Sequence, residues 1–285
     1  MSTAEDRAMA PPEFAELFGS EETGESKLAG AAKMVALTTV TSLVLLAIWE
    51  VLSRIDPPFW PQVILSKPTD IVPAFFQAIT SDFVWVNFWV TFQETIIGFA
   101  IGAGGGFVLG VLIALSRTFS RAVYPIVILF QTTPRVALAP VFIAWFGFGM
   151  TSKIALAAAI CFFPVLVNTI TGLTVVDENA LLLMRSLKAS RFQMFFHLRL
   201  LAAMPAIFAG LKSALTFALI GAVIAELLGS NEGVGQLIDA SSFQLQMDDV
   251  FAYLLILGLL GLALFLIVNA IERKLVFWHS NWEDE

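Results

Sequence analysis

Long apolar stretches separated by short polar ones dominate the chain from residue 33 onward. A helix needs about 20 mostly apolar residues to cross about 30 Å of hydrocarbon. Six windows meet that length, roughly Met34–Leu52, Val90–Leu115, Ala122–Phe146, Ile154–Val175, Leu200–Leu228 and Val250–Ile271. The pattern predicts an all-α polytopic membrane protein with six transmembrane helices. Pro125, Pro134 and Pro140 fall in the third window. Each removes a helical donor and clashes with the preceding turn, so that span is expected to be broken or bent. Non-helical backbone at membrane depth is tolerated only where protein buries it or where it lines an aqueous cavity. Thr132 to Pro140 is therefore a candidate to face a pathway.

Residues 1–32 do not share the pattern. Glu5, Asp6, Glu13, Glu16, Glu21, Glu22 and Glu25 crowd among Ala, Pro, Ser and Gly. Such a segment buries too little apolar surface to order itself, and it lacks the basic start, apolar run and small-residue cleavage site of a signal peptide. The expected organisation is a disordered acidic cytoplasmic tail, residues 1–32, ahead of a transmembrane domain, residues 33–285. Cytoplasmic loops are enriched in Lys and Arg. With the N-terminus inside, Arg7, Lys27, Lys33, Arg117, Arg121, Arg185, Lys188, Arg191, Arg199, Arg273 and Lys274 lie on the cytoplasmic side. Arg54, Lys67, Arg135 and Lys153 lie toward the outside, and Lys212 falls within the fifth span. That asymmetry supports six spans with both termini cytoplasmic.

Composition narrows the function classes. Apolar residues make up 58% of the 285 and charged ones 14%, against soluble averages of about 45–50% and about 25%, so a soluble enzyme is excluded. A net charge of −7 excludes nucleic-acid binding, which draws its affinity from Lys and Arg. The single Cys161 provides neither a disulfide framework nor a thiolate metal site. No Gly-Lys pair occurs, so there is no P-loop and the chain does not itself hydrolyse ATP. His197 and His279 are the only histidines, which excludes H-E-x-x-H zinc chemistry and a Ser-His-Asp arrangement within the spans. No catalytic residue, metal site or cofactor is expected.

Three constellations remain. Gly98, Gly102, Gly106 and Gly110 recur every four residues in the second span, with Gly104 and Gly105 between them. Their shared face lets another backbone approach closely. The partner is expected to be a span of the same chain, with a contact between copies as the alternative. The segment Asp177 to Leu198 is helical by propensity and amphipathic. Asp177 suits an N-cap, and Ser190 with Gln193 forms an S-x-x-Q capping box, so two helices should meet near Lys188 to Ser190. The apolar set Leu182, Leu183, Phe192, Phe195 and Phe196 is too large to leave in water. It should dock on a partner, the alternative being the inner leaflet. Ionisable residues in or beside spans are functional candidates: Arg135, Glu94 and Glu226, with Arg135 expected to pair with either carboxylate.

Ordered blocks across residues 65–275 resemble the permease subunits of binding-protein-dependent ABC importers, in particular the nitrate/sulfonate/taurine branch and its hydroxymethylpyrimidine-carrying relatives. The blocks are Thr133-Pro134-Arg135-Val136-Ala137-Leu138-Ala139-Pro140, Trp145-Phe146-Gly147-Phe148-Gly149, Lys153 and Phe162-Phe163-Pro164. They continue with Glu178-Asn179-Ala180, Leu187-Lys188-Ala189-Ser190, Ala202-Ala203-Met204-Pro205, Gly210-Leu211, Ala225-Glu226 and Gly233-Val234-Gly235. Two positions depart from the family pattern. Lys188 stands where a glycine is expected and Leu201 where a proline is, so the bend between the paired helices is expected to form without a left-handed residue.

The resemblance implies the type I ABC importer permease (MetI-like) fold in a bacterial inner membrane. It implies a translocation path for a small solute delivered by a periplasmic or lipoprotein substrate-binding protein, a separate ABC ATPase subunit, and a second permease copy. Coupling helices at 177–198 would place Glu178, Ala180, Leu183, Leu187, Lys188, Ala189, Ser190, Phe192, Phe195 and Phe196 at the ATPase. Glu94, Thr133, Pro134, Arg135 and Glu226 are the candidate path or gate residues. The rival class is a secondary transporter or channel not driven by ATP. That class would show paired interrupted spans or rings of buried carboxylates.

Overall fold

The first helix, α1 (Gly24–Arg54), forms a unit of its own. In this computed structural model, residues 24–54 and 66–278 are described, and among them every regular element is helical. The acidic stretch up to residue 23 lies outside the described residues; helix begins at Gly24, within the expected tail. From Lys33 onward α1 is apolar and long enough to span, and it exposes Met34, Leu37, Leu45 and Ile48.

The second unit starts with α2 (Pro68–Thr80) and the long α3 (Asp82–Leu115). The third window is indeed broken. Helix α4 (Arg117–Thr132) stops at Thr133-Pro134, a 3-10 turn covers Arg135–Leu138, and α5 (Ala139–Phe146) leaves at 89°. Only one of the three prolines makes the break: Pro125 is accommodated inside α4, and Pro140 sits in the first turn of α5, where no intrahelical donor is lost. Then come α6 (Met150–Thr174), the short α7 (Glu178–Ser186) and α8 (Arg191–Met194), a π-turn (Phe195–Arg199), α9 (Leu200–Leu227), α10 (Val234–Phe243) and α11 (Met247–Leu275). Five described helices are long and apolar enough to cross a membrane, six if the bent pair is counted as one span.

Helix α6 is the central rod, packed against α3 on one side and α9 on the other. Between lipid-embedded helices the attraction is chiefly van der Waals contact, so small residues set the distance. A Cβ added at Gly98 would sit 2.6 Å from Ala157 Cβ, and one at Gly110 would sit 2.8 Å from Thr169 Cβ. Added Cβ atoms at Gly102 and Gly106 would run into the Ala158 and Phe162 carbonyls. The glycine face therefore packs on α6 of the same chain, as expected over a contact between copies. On the other side Gly221 meets Ala157 and Gly172 meets Ala203 and Ala206. Cys161 is fully buried in this seam with Ala103, Val165, Ala214 and Ala218.

The loops gather at two ends of opposite charge. One end carries Asp70, Asp82, Glu232, Asp239, Asp248 and Asp249 with a lone Lys67; the other carries Arg117, Arg121, Arg185, Lys188, Arg191, Arg199, Arg273 and Lys274 against Asp177 and Glu178. At the acidic end α2 and α10 close over the bundle, where Ala78, Val84, Leu237, Ala252 and Ile256 share one apolar cluster. Toward the basic end Lys212 on α9 pairs with Glu272 on α11 at 2.7 Å.

Candidate functional site

At the acidic end, three consecutive backbone N–H groups at the start of α10 are taken by side chains from other helices. Gly233 N–H donates to Asn87 Oδ1 at 2.7 Å, Val234 N–H to Thr91 Oγ1 at 2.9 Å, and Gly235 N–H to Glu226 Oε2 at 2.6 Å. The Thr91 hydroxyl in turn donates a hydrogen bond to Glu226 Oε1 at 2.6 Å. The first turn of any helix has N–H groups without intrahelical partners and a partial positive charge, so a carboxylate placed there satisfies both. The geometry explains the Ala-Glu…Gly-x-Gly spacing. A Cβ at Gly235 would come 2.7 Å from Glu226 Oε2, and a Cβ at Gly233, where φ is +108°, would collide with the same carboxyl.

Glu94 adjoins Glu226 and is fully buried. Its cation is Lys153, whose Nζ lies 3.4 Å from Glu94 Oε1. No backbone N–H or hydroxyl holds the Glu94 oxygens as they hold those of Glu226, so Lys153 and Glu226 are its polar neighbours. A cleft of about 170 Å³ opens beside the pair, lined by Val90, Phe148, Met150, Asn231 and Glu232 as well as the pair itself. The expected pairing of Arg135 with Glu94 or Glu226 is not found; Lys153, placed from the sequence toward the outside, pairs with Glu94 instead. Asn87 and Thr91 also escaped the sequence reading. A signal was present, because Asn87, Thr91, Thr95, Gly98 and Gly102 follow one another at helical spacing. They form one face that is polar at the acidic end and bare beyond it.

Arg135 lies instead at the break of the third span. Its guanidinium rests 4.6 Å from the centre of the Phe163 ring and donates to the carbonyls of Ile160 (3.4 Å) and Gln131 (3.5 Å). Gln131, Thr132, Thr133 and Pro134 around it are exposed. Thr133 donates its hydroxyl proton back to Leu129 O at 3.0 Å, which satisfies a carbonyl that the broken helix leaves free.

At the basic end the two expected short helices form. Asp177 accepts from Asn179 N–H at 3.0 Å, and the Ser190–Gln193 capping box is complete, at 3.2 Å and 2.8 Å. The bend between them departs from expectation. Lys188 adopts the left-handed conformation, φ +55°, in place of the family glycine. Lys188 N–H bonds to Arg185 O and Ala189 N–H to Met184 O, the paired bonds of a Schellman cap. These bonds hold a residue whose Cβ costs roughly 1–2 kcal/mol in that region. Leu183, Leu187 and Phe192 are 61%, 69% and 71% exposed, beside exposed Glu178 and Ser190 and half-buried Ala180 and Ala189. Phe196 is exposed against Phe192, with ring centres 4.4 Å apart. Phe195 turns the other way, packing on Leu173, Ala203 and Ile207.

The model of the family "Binding-protein-dependent transport system inner membrane component" matches residues 106–277. The chain is 35% identical over 241 residues to a putative aliphatic sulfonates transport permease of Bacillus subtilis, covering 84% of this chain and 86% of that one. It is 34% identical over 247 residues to a formylaminopyrimidine transport permease of Halalkalibacterium halodurans, covering 85% and 95%. It is 30% identical over 255 residues to the taurine transport system permease of Escherichia coli, covering 87% and 92%. In fold it is similar to a chain of the MetNI methionine ABC transporter in an inward-facing conformation, at a TM-score of 0.60 and 17% identity over 67% of this chain and 96% of that one. With the helices, their central α6 seam and the capped loop already in hand, these matches show that the chain belongs to the family of binding-protein-dependent ABC importer permeases.

Proposed function

We propose that this chain forms the translocation path of an ATP-driven importer, with its basic end in the cytoplasm and its acidic end toward an extracytoplasmic binding protein. The charge asymmetry of the two ends supports that orientation, and with it both termini are cytoplasmic. A separate ATPase subunit hydrolyses the nucleotide, and a second copy of the chain completes the path.

The observation that carries the reading is the connection from α8 to α9. Arg191 to Leu227 is one helical run, passing through the π-turn at Phe195–Arg199 without a loop. An apolar surface made by Leu183, Leu187, Phe192 and Phe196 stands uncovered at its start. A groove of the ATPase that buries this surface would move α9 as a rigid element, whereas a flexible link would absorb the displacement. In this role Glu178, Ala180, Lys188, Ala189 and Ser190 shape the bend, and Phe195 ties the docking helix to the bundle. Thr133, Pro134 and Arg135 line the path at the broken span. Glu94 and Glu226 serve the gate indirectly, by holding α10 and its loop at the outer mouth.

Purification from the native host in mild detergent, followed by vesicle uptake, tests the reading. Copurification of an ATPase subunit and uptake that requires ATP at the basic face are expected. A lone permease whose uptake follows a proton or sodium gradient would refute it.

A further inference from the structure

Among the described residues, no carboxylate answers the charge of Arg135. Lys153 and Lys212 show what basic side chains on these spans do when an acid is in reach, pairing at 3.4 Å and 2.7 Å. Among the described residues Arg135 makes no ion pair; its protein contacts are two carbonyls at 3.4 and 3.5 Å and the Phe163 ring. A guanidinium carries five N–H donors in a planar fork, so these contacts leave part of the fork free. Its depth makes the charge costly. Ile160, which it reaches, lies ten residues into the 25-residue helix α6, hence about 15 Å along a rod of about 37 Å. An arginine at that depth is answered by carbonyls, an acid, water or an anion; its two carbonyl contacts are long and occupy only part of the fork, and a lipid headgroup at either surface is too far away to complete it.

The surroundings suit an anion in transit. The break exposes Gln131, Thr132 and Thr133, an amide and two hydroxyls with no carboxylate among them. Phe163 covers one face of the guanidinium and fixes the plane of the fork, the pre-organisation a bidentate contact to an oxyanion requires. The two buried acids among the described residues, Glu94 and Glu226, are engaged with Lys153, Thr91 and Gly235. The relatives are named for aliphatic sulfonates and taurine and also for formylaminopyrimidine, so the choice rests on this chain's own residues.

We propose that Arg135 recognises the solute in the path and that the solute carries an oxyanion, a sulfonate, carboxylate or phosphate ester. The inference rests on the translocation-path reading above and deepens it. Thermal unfolding of the purified transporter complex is followed while ethanesulfonate, acetate or methyl phosphate is titrated in. The uncharged isostere ethyl methyl sulfone is the control. At least one anion is expected to raise the unfolding temperature saturably, as binding to the folded state must, while the sulfone leaves it unmoved. Arg135→Gln should abolish the anion shift, and Arg135→Lys, a point charge in place of a fork, should weaken the apparent affinity about tenfold. A shift that survives Arg135→Gln, or no shift with any of the three anions, overturns the proposal. Should Arg135→Gln fail to assemble, unchanged affinity in Arg135→Lys overturns it equally. ATP-driven uptake confined to uncharged solutes would refute this inference alone, and uptake indifferent to ATP would refute the importer reading alone.

Discussion

Replacing Lys153 by Met removes the cation from a buried triad and leaves its two carboxylates facing one another. Lys153 and Glu94 are 6% and 0% exposed at the side chain, 3.4 Å apart, with Glu226 adjoining. The methionine keeps most of the apolar stem, so packing changes little and the perturbation is electrostatic. Losing one partner of a buried pair costs about 3–5 kcal/mol. The two acids do not share that cost equally. Glu226 keeps the Thr91 hydroxyl and the Gly235 N–H, whereas Glu94 has no backbone N–H or hydroxyl to hold it once Lys153 is gone, so the penalty falls on Glu94. Changing Glu94 to Gln in the Lys153→Met background therefore recovers most of the lost stability. A coupling energy of about 2 kcal/mol or more is expected, a factor of about 30 in the unfolding equilibrium. The four proteins of the cycle can be compared by thermal or denaturant unfolding in detergent, read by tryptophan fluorescence. Single effects that simply add in the double variant would refute the triad.

Lys188→Gly should stabilise the docking loop by about 0.5–1 kcal/mol, the left-handed strain of roughly 1–2 kcal/mol less the extra backbone entropy of glycine. Slower amide exchange at Ala189 and Ser190 is the measurement, and faster exchange would contradict the assignment. Phe192→Ala should weaken ATPase association by about 30-fold, as expected for a central aromatic anchor worth about 2 kcal/mol. Phe195→Ala should instead lower the permease's own unfolding temperature; equal effects of both on association would show that the docking face is drawn wrongly. Gly106→Leu drives a side chain against the Phe162 carbonyl and Leu166 N, the latter 3.2 Å from the added Cβ. Neither backbone atom can yield, so loss of folded protein from the membrane fraction is expected, while Gly104→Leu, at a position with open space, should be tolerated.

What could be read from the chain alone follows the range of the interactions involved. Span lengths, the proline break and the Ser190–Gln193 box depend on residues within a turn or two of each other, and all three appear in the structure. Proline's effect is itself positional: only Pro134 breaks the span, because Pro140 falls in a first turn that needs no N–H. Lys188 shows the limit of a local rule. The expectation that a lysine would avoid the left-handed region weighed the Cβ cost but not the two cap bonds to Arg185 and Met184 that hold it there. Phe195 differs from Phe192 and Phe196 because a π-turn carries more residues per turn than an α-helix, shifting the phase so that one ring enters the core.

The counter-ion of Glu94 was the least accessible from sequence. It depends on where α3 and α6 meet, and that register is set by Gly98, Gly102, Gly106 and Gly110 against residues 154–169. The first of these contacts, Gly98 on Ala157, already determines the rest. One turn further toward the acidic end, residue 94 on α3 must face residue 153 on α6, since the two helices run in the same direction and advance by the same 1.5 Å per residue. The small-residue seam thus does more than let two backbones approach. By fixing register it selects Lys153, rather than the more conspicuous Arg135, as the partner of Glu94. Among the described residues Arg135 is left without an acid, at the break in the third span.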